Sequence, residues 1–220
     1  MIVMPSNNSH AHAFEMIFPG RMGLLMSPAG RRNPRGLRWA IDNGVYSAWV
    51  AANYSTEKHE QREHWDGTAF LEMLAWAAEQ PLAPRWVVVP DVVGNAPATL
   101  REFEEWAPSI SAAGFGLALA VQDGMTPADV PAGVVCFLGG TREWKWANVD
   151  RFGAECQRLH VGRVNQYRDL WRAHDAGAES CDGSGFFRGD QNQLRGFVAY
   201  LKESSGFAER SIQKTLAFPA

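Results

Sequence analysis

Three aspartates and a glutamine stand at matching places in the chain, each closing a short apolar run and each followed within three residues by glycine. The stretches are Asp42-Asn43-Gly44-Val45-Tyr46, Pro90-Asp91-Val92-Val93-Gly94, Val121-Gln122-Asp123-Gly124 and Cys181-Asp182-Gly183-Ser184. A further run ends in Leu138-Gly139-Gly140-Thr141. Carboxylates in such places can shuttle protons, attack an electron-poor carbon, or accept N–H groups of a ligand. A glutamine amide adds both a donor and an acceptor, and glycine lets a ligand approach the backbone closely. A single Asp after a strand is commonly a turn former or helix cap. Three at successive run ends read as parts of one site.

The elements that must position them follow from the apolar pattern. Strand-like runs cover Ile2–Pro5, Leu37–Asp42, Trp86–Asp91, Gly116–Gln122, Val134–Gly139, Arg158–Gly162 and Ala178–Asp182. Several are β-branched without polar alternation, as strands buried on both faces of a parallel sheet should be. Helical periodicity marks Thr68–Gln80 behind an Asp66 or Thr68 cap, and Ala98–Ala113 behind Asn95. It also marks Gln166–Ala176 behind Asn165, and Gln191–Ser204. Repeated β-then-α units predict an α/β fold with a parallel sheet. Asn7-Asn8-Ser9 replaces the glycine-rich turn that an open dinucleotide-binding sheet wants after its first strand. The expectation is a compact or imperfectly closed (β/α)8 TIM-type barrel in one domain over residues 1–220, with strand ends converging on one mouth. Its eighth strand is expected at Phe186–Gly189 or Thr215–Phe218.

Composition removes other classes. With 46% hydrophobic and 20% charged residues, the chain of 220 can bury a full core. Lys and Arg number 21 against 24 Asp and Glu, a net charge of −3, so bulk positive charge is not how it would hold nucleic acid. Locally, however, Gly30–Arg38 carries four arginines, Arg31, Arg32, Arg35 and Arg38, and reads as a basic arm. Cys136, Cys156 and Cys181 form neither a C-x-x-C pair nor an even set, which fits a reducing cytoplasm. There is no membrane-length apolar run and no signal-peptide pattern. Tyr54–Asp66 reads as a polar loop. Trp76, Trp106 and Trp171 fall on core faces of helices, whereas Trp39, Trp49, Trp144 and Trp146 flank the expected mouth.

Taken in order, IDNGVYSAW, PDVVG, LAVQDGM, FLGGTREWK, LHVGRVNQYRDL and ESCDGSGFFRG resemble the barrel of the tRNA-guanine transglycosylases (the queuine tRNA-ribosyltransferase superfamily). The likeness runs over roughly residues 37–190 and is greater to phage DpdA-like 7-deazaguanine DNA transglycosylases. It implies a nucleophilic Asp182, an acid/base Asp42, and Tyr46 stacking on the base. It further implies that Asp91 and Gln122 read a guanine-type edge, and that Gly139 and Gly140 turn backbone N–H groups toward the base carbonyl. Arg188 falls near a downstream arginine of the nucleophile motif. Asn43 and Val45 depart from the family's acid/base stretch, and its Cys- and His-rich zinc subdomain has no counterpart here. That subdomain helps to hold tRNA, so the resemblance implies DNA as acceptor, with tRNA or a free nucleoside as the alternative.

The expected reaction replaces guanine in DNA with a 7-deazaguanine base, needs no cofactor or metal, and takes place in the cytoplasm of a bacterial or phage-infected cell. Partners are DNA and the small base, with partner proteins or a second copy left open. Arg31, Arg32, Arg35 and Arg188 are the expected phosphate contacts. The competing reading is a metal-dependent amidohydrolase-type barrel using His10-Ala11-His12 and His160. A lone strand histidine is more often a hydrogen-bonded pocket residue, and His160 is assigned to the pocket. A non-catalytic nucleic-acid-binding barrel is the remaining alternative.

Overall fold

The structure, a computed structural model, describes residues 1–6, 8, 10–54 and 65–210. Eight parallel strands form one sheet: β1 (Ile2–Val3), β2 (Gly23–Met26), β3 (Arg38–Ile41), β4 (Val87–Val88), β5 (Leu117–Val121), β6 (Val135–Leu138), β7 (Leu159–Val161) and β8 (Ser180–Cys181). Each pairs with its sequence neighbour from β2 through β8, and β8 pairs with β1 at Ile2↔Ser180 and Val3↔Cys181. Among the described residues, β1 and β2 are joined by the isolated bridges Val3↔Met22 and Ser6↔Leu25 alone. The fold is an imperfectly closed (β/α)8 barrel whose seam lies between β1 and β2.

Around it stand α1 (His10–Ile17), α2 (Val45–Tyr54), α3 (Gly67–Ala78), α4 (Ala96–Ala112), α5 (Arg142–Glu155), α6 (Tyr167–Asp175) and α7 (Gln191–Ser204). Asp66 caps α3 by accepting from Ala69 N–H, and Asn95 caps α4 by accepting from Ala98 N–H. Asn165 does not cap α6. Gln166 holds that position, while the Asn165 side chain accepts from Gly185 N–H and ties the β7 loop to the β8 loop.

The eighth strand is not where the sequence pattern puts it. It is β2, a Gly-Leu-Leu-Met run without β-branched residues, and it falls between the first and second of the seven expected strands rather than after them. Gly23 is required there, because a Cβ would lie 2.7 Å from the Arg38 carbonyl oxygen on β3. Phe186 sits instead in a 3-10 turn (Gly185–Phe187), and Thr215–Phe218 lies outside the described residues, as does most of the Tyr54–Asp66 stretch.

Alternation along the strands divides the core in two. Ile2, Met4, Leu25, Ala40, Trp86, Val88, Ala118, Ala120 and Val135 pack inside the barrel with Phe137. Val3, Leu24, Trp39, Ile41, Val87, Leu119, Cys136, Leu138, Val161 and Cys181 face the helices. Large Trp86 and Phe137 inside are matched by three alanines, so the lower barrel is filled and any ligand must enter from the C-terminal rim. Trp39 belongs to the outer core rather than the mouth, where its Nε1–H donates to the Leu82 carbonyl at 2.8 Å.

Candidate active site at the barrel mouth

Because all eight strands run parallel, Asp42, Asp91, Gln122, Gly139, Gly162 and Asp182 follow strand ends on one rim. Asp42 comes after β3, and its backbone N–H is tied to the Met26 carbonyl of β2 at 2.8 Å. Its carboxyl is partly exposed and accepts from Gly44 N–H at 3.3 Å. Burial, the Asp182 charge and, more weakly, the Asp91 charge push its pKa up to about 7, against the smaller opposing pull of backbone N–H groups. At neutral pH this side chain is poised to give or take a proton.

Asp91 is bracketed by amides. Asn43 Nδ2 donates to its Oδ1 at 2.9 Å and Gln122 Nε2 donates to its Oδ2 at 2.8 Å. Burial nevertheless raises its pKa to about 6, partly offset by those two bonds. Asn43 also donates to the Val89 carbonyl at 2.9 Å and accepts from Val45 N–H at 2.9 Å, so its amide is fixed on both sides. Gln122 is 4% exposed, and its Oε1 accepts from Gly94 N–H at 3.0 Å. It therefore orients Asp91 more than it presents a free edge of its own. Asn43 was a mere departure from a motif in the sequence, yet it is the second hand on Asp91.

Asp182 is 9% exposed and sits differently. Its Oδ1 accepts from Arg163 backbone N–H at 3.1 Å and lies 3.2 Å from His160 Nε2. His160 Nδ1 lies 2.8 Å from Ser180 Oγ. An ionised carboxylate only accepts, which places the ring hydrogen on Nε2 and leaves Nδ1 to accept from the serine hydroxyl. Ser180, His160 and Asp182 are not a hydrolase triad, because Ser180 and His160 are completely buried inside the barrel. His160 stacks on Phe137 with centroids 4.6 Å apart and meets Trp86 edge-on at 4.9 Å. It holds Asp182 and reaches no further. Gly183 is dictated by packing, since a Cβ there would strike the Val164 carbonyl.

Arg163 completes the rim and was not singled out in the sequence. Its φ of 56° is left-handed, a rare state for a residue with a Cβ. That backbone aims its N–H at Asp182 while the side chain crosses the mouth. Nη1 donates to Tyr46 Oη at 2.9 Å, Nη2 donates to the Gly140 carbonyl, and the guanidinium lies 4.7 Å from the Tyr46 ring centroid. Tyr46 is 41% exposed and stacks beside Trp49. A positive φ just past a strand end is a fold-level feature. Its sequence signal is only that Arg163 directly follows Gly162.

The glycine pair needs a correction. Gly139 N–H donates to the Val121 carbonyl at 3.1 Å as a continuation of the ladder, so it is not available to a base. Gly140, at φ 69°, has an N–H without a partner among the described residues. A Cβ there would collide with Asp123, whose carboxylate is held by Thr141 N–H and Oγ1.

The four-arginine segment leads away from the mouth. It runs from a 3-10 turn (Pro28–Gly30) after β2 down to the start of β3, at the opposite end of the barrel from the mouth. Arg31 lies 5.9 Å from the Trp76 ring centroid, Arg38 pairs with Glu15 at 3.7 Å, and exposed Arg35 sits in the turn at the lower end. Arg32 is partly buried on the same wall. Arg188 is exposed after the Gly185–Phe187 turn on the mouth side.

The histidines of the metal reading are not brought together. His10 and His12 lie on α1, where His10 stacks on Phe187 and His12 Nε2 lies 3.1 Å from the Pro34 carbonyl oxygen. Among the described residues, no three His, Cys, Asp or Glu side chains are grouped to hold a metal ion. No helix among them is long and apolar enough to cross a membrane. What fold and site define together is a barrel with differently tuned carboxylates at its mouth. No protein-family model matches the chain, and a comparison with curated proteins finds no significant relative.

Proposed function

We propose that the protein is a base-exchange transglycosylase that replaces guanine in DNA with a 7-deazaguanine derivative through a covalent aspartyl–sugar intermediate. One observation carries this reading: two mouth carboxylates in opposite settings, Asp42 raised to about 7 and Asp182 locked by directed N–H donors. The resemblance of the six sequence stretches supports the substrate class.

In the first half-reaction an Asp182 oxygen bonds to the anomeric carbon, and the glycosidic electron pair leaves with guanine. The departing ring nitrogen takes the proton of Asp42, which is half protonated near pH 7. The incoming base returns a proton to the Asp42 carboxylate, attacks the anomeric carbon and releases Asp182. Asp91 keeps lone pairs beyond those used by Asn43 and Gln122, and can accept N–H groups of a guanine-type edge. Tyr46 offers an aromatic face for a base flipped out of the duplex once the Arg163 guanidinium moves off it.

The test is to incubate the protein with labelled guanine and, separately, duplex DNA or tRNA, and to measure label in each polymer. Label in DNA is the expected result, and label in tRNA alone replaces the acceptor. Label in neither, with no protein–polymer adduct on a denaturing gel, removes the proposal.

A further inference from the structure

The peptide unit between Gly162 and Arg163 is gripped at both ends. Its carbonyl accepts from Lys145 Nζ, and its N–H donates to Asp182 Oδ1 at 3.1 Å. Lys145 stands in the first turn of α5 and is 2% exposed, an expensive place for an ammonium group. No ion pair within 4 Å takes up its charge among the described residues, and the buried Asp169 is paired instead by Arg142 at 2.7 Å. The Nζ also lies 5.2 Å from the Trp146 ring centroid. Among the described residues, the Gly162 carbonyl is its hydrogen-bond acceptor. The same peptide carries the left-handed Arg163, so the strained backbone, the buried lysine and Asp182 form one arrangement.

We propose that Lys145 is a positioning residue for Asp182: by holding the Gly162 carbonyl it orients and polarises the Gly162–Arg163 amide, whose N–H then stabilises the Asp182 carboxylate. A cation on the oxygen of an amide strengthens the bond its N–H donates, as in any hydrogen-bonded chain. The proposal rests on reading Asp182 as the nucleophile. It explains how the Asp182 carboxylate is held in one orientation on a rim that it shares with Asp42. The groups facing Lys145 are Arg163 and Arg142, which disfavour its charge, and Asp182 and Asp169, which favour it. Burial, aided most by Arg163, lowers its pKa to about 8. The polarisation is therefore full below that pH and fades as pH rises through it.

The experiment follows the Arg163 backbone amide by NMR in the parent, Lys145→Met and Lys145→Arg, and measures adduct formation in parallel. In the parent, this amide resonance should shift with a step near pH 8. In Lys145→Met that step disappears, the amide exchanges with solvent about ten-fold faster or more, and the acidic limb of adduct formation moves up by roughly one pH unit. Lys145→Arg, which keeps a cationic donor, restores most of the protection and rate. If Lys145→Met does not fold, Lys145→Gln supplies the comparison, retaining a neutral donor and losing the pH step. An Arg163 amide unchanged in shift and exchange when Lys145 is neutral overturns the proposal, whatever the activity. A parent that shows the amide signature but never transfers a base supports the positioning role and removes the transglycosylase reading instead.

Discussion

The two sides of the barrel mouth treat the same side chain in opposite ways. On the β3–β5 side, burial raises Asp42 to about 7, with help from the Asp182 charge across the mouth and less from Asp91, and raises Asp91 to about 6 against the pull of two amides. On the β6–β8 side, Asp182 meets an imidazole N–H, a backbone N–H and a neighbourhood that holds Arg163 and Lys145. On the β3–β5 side the amide N–H groups favour the ion too, but burial outweighs them, whereas on the β6–β8 side cations stand beside the N–H donors. The residue type alone does not assign the job. The neighbours do, and they divide the rim into a proton-handling side and a charge-holding side.

The largest effect comes from removing the charge-holding acid. Asp182→Asn should abolish base exchange, a loss of about 10⁴-fold or more, together with any covalent adduct, because an amide is a poor nucleophile. Denaturing gels with and without free base read this directly. An adduct that survives in Asp182→Asn but vanishes in Asp42→Asn would exchange the roles of the two sides.

Asp42→Asn should slow exchange by about 10² to 10⁴ while still letting some adduct accumulate. On the proposed mechanism, adduct formation in the parent uses the protonated acid and should fall as pH rises through about 7. The same group sets a stability difference. An unfolded Asp titrates near 3.9, so the folded state holds the extra proton and destabilisation grows from about pH 4 to about pH 7, then stays level. Asp42→Asn, which has no charge to bury, should gain on the order of 2 kcal/mol at pH 8 relative to pH 4, allowing for the partial exposure of the carboxyl. Thermal melts at the two pH values measure it, and an equal offset at both would mean that burial of Asp42 carries no strain.

How far all this was legible in the chain depends on whether a role is local. Strands β3 to β8 announce themselves as apolar runs because both their faces are covered, and the residues after them follow at the mouth. Strand β2 has four residues without β-branching and looked like nothing in particular. Helix α5 carries no clear apolar stripe in the sequence, because its buried positions include Lys145 and Trp146 among charged neighbours. Asn43 and Arg163 have roles made by contacts far away in sequence, to Val89 and Asp91 in one case and to Gly140 and Tyr46 in the other. Gly139 shows the converse, a residue placed on the rim as expected but with its N–H already used by the sheet.

A smaller effect isolates the amide clamp. Asn43→Ala removes one of two donors to Asp91 and leaves the Val89 carbonyl without that partner. Stability should fall by about 1–3 kcal/mol, the cost of a buried group left unpaired. The Asp91 pKa should move further up, since the lost bond was holding it down. Exchange with guanine should weaken by about ten-fold, chiefly in apparent affinity for the base. Loss in turnover alone, with base affinity intact, would place Asp91 on the chemical step.

The smallest effect should come from the arginine segment, and it sharpens the contrast between rim and wall. A polymer delivering its sugar to Asp182 must lie across the mouth, where Arg163 and exposed Arg188 are found. Arg31, Arg32 and Arg35 lie along the outer wall toward the far end, with Arg31 stacked near Trp76. Each phosphate contact adds close to one unit to the slope of log K against log salt. Replacing Arg31, Arg32 and Arg35 together by Ala should therefore leave the slope for DNA nearly unchanged and weaken binding by less than about three-fold. Arg188→Ala should reduce the slope by about one unit, and Arg163→Ala should do so while also freeing Tyr46. Fluorescence anisotropy with a short duplex over a salt series separates the cases. A triple variant that loses two or more units of slope would mean that the polymer wraps the barrel wall, and that the basic segment is the arm its composition suggests.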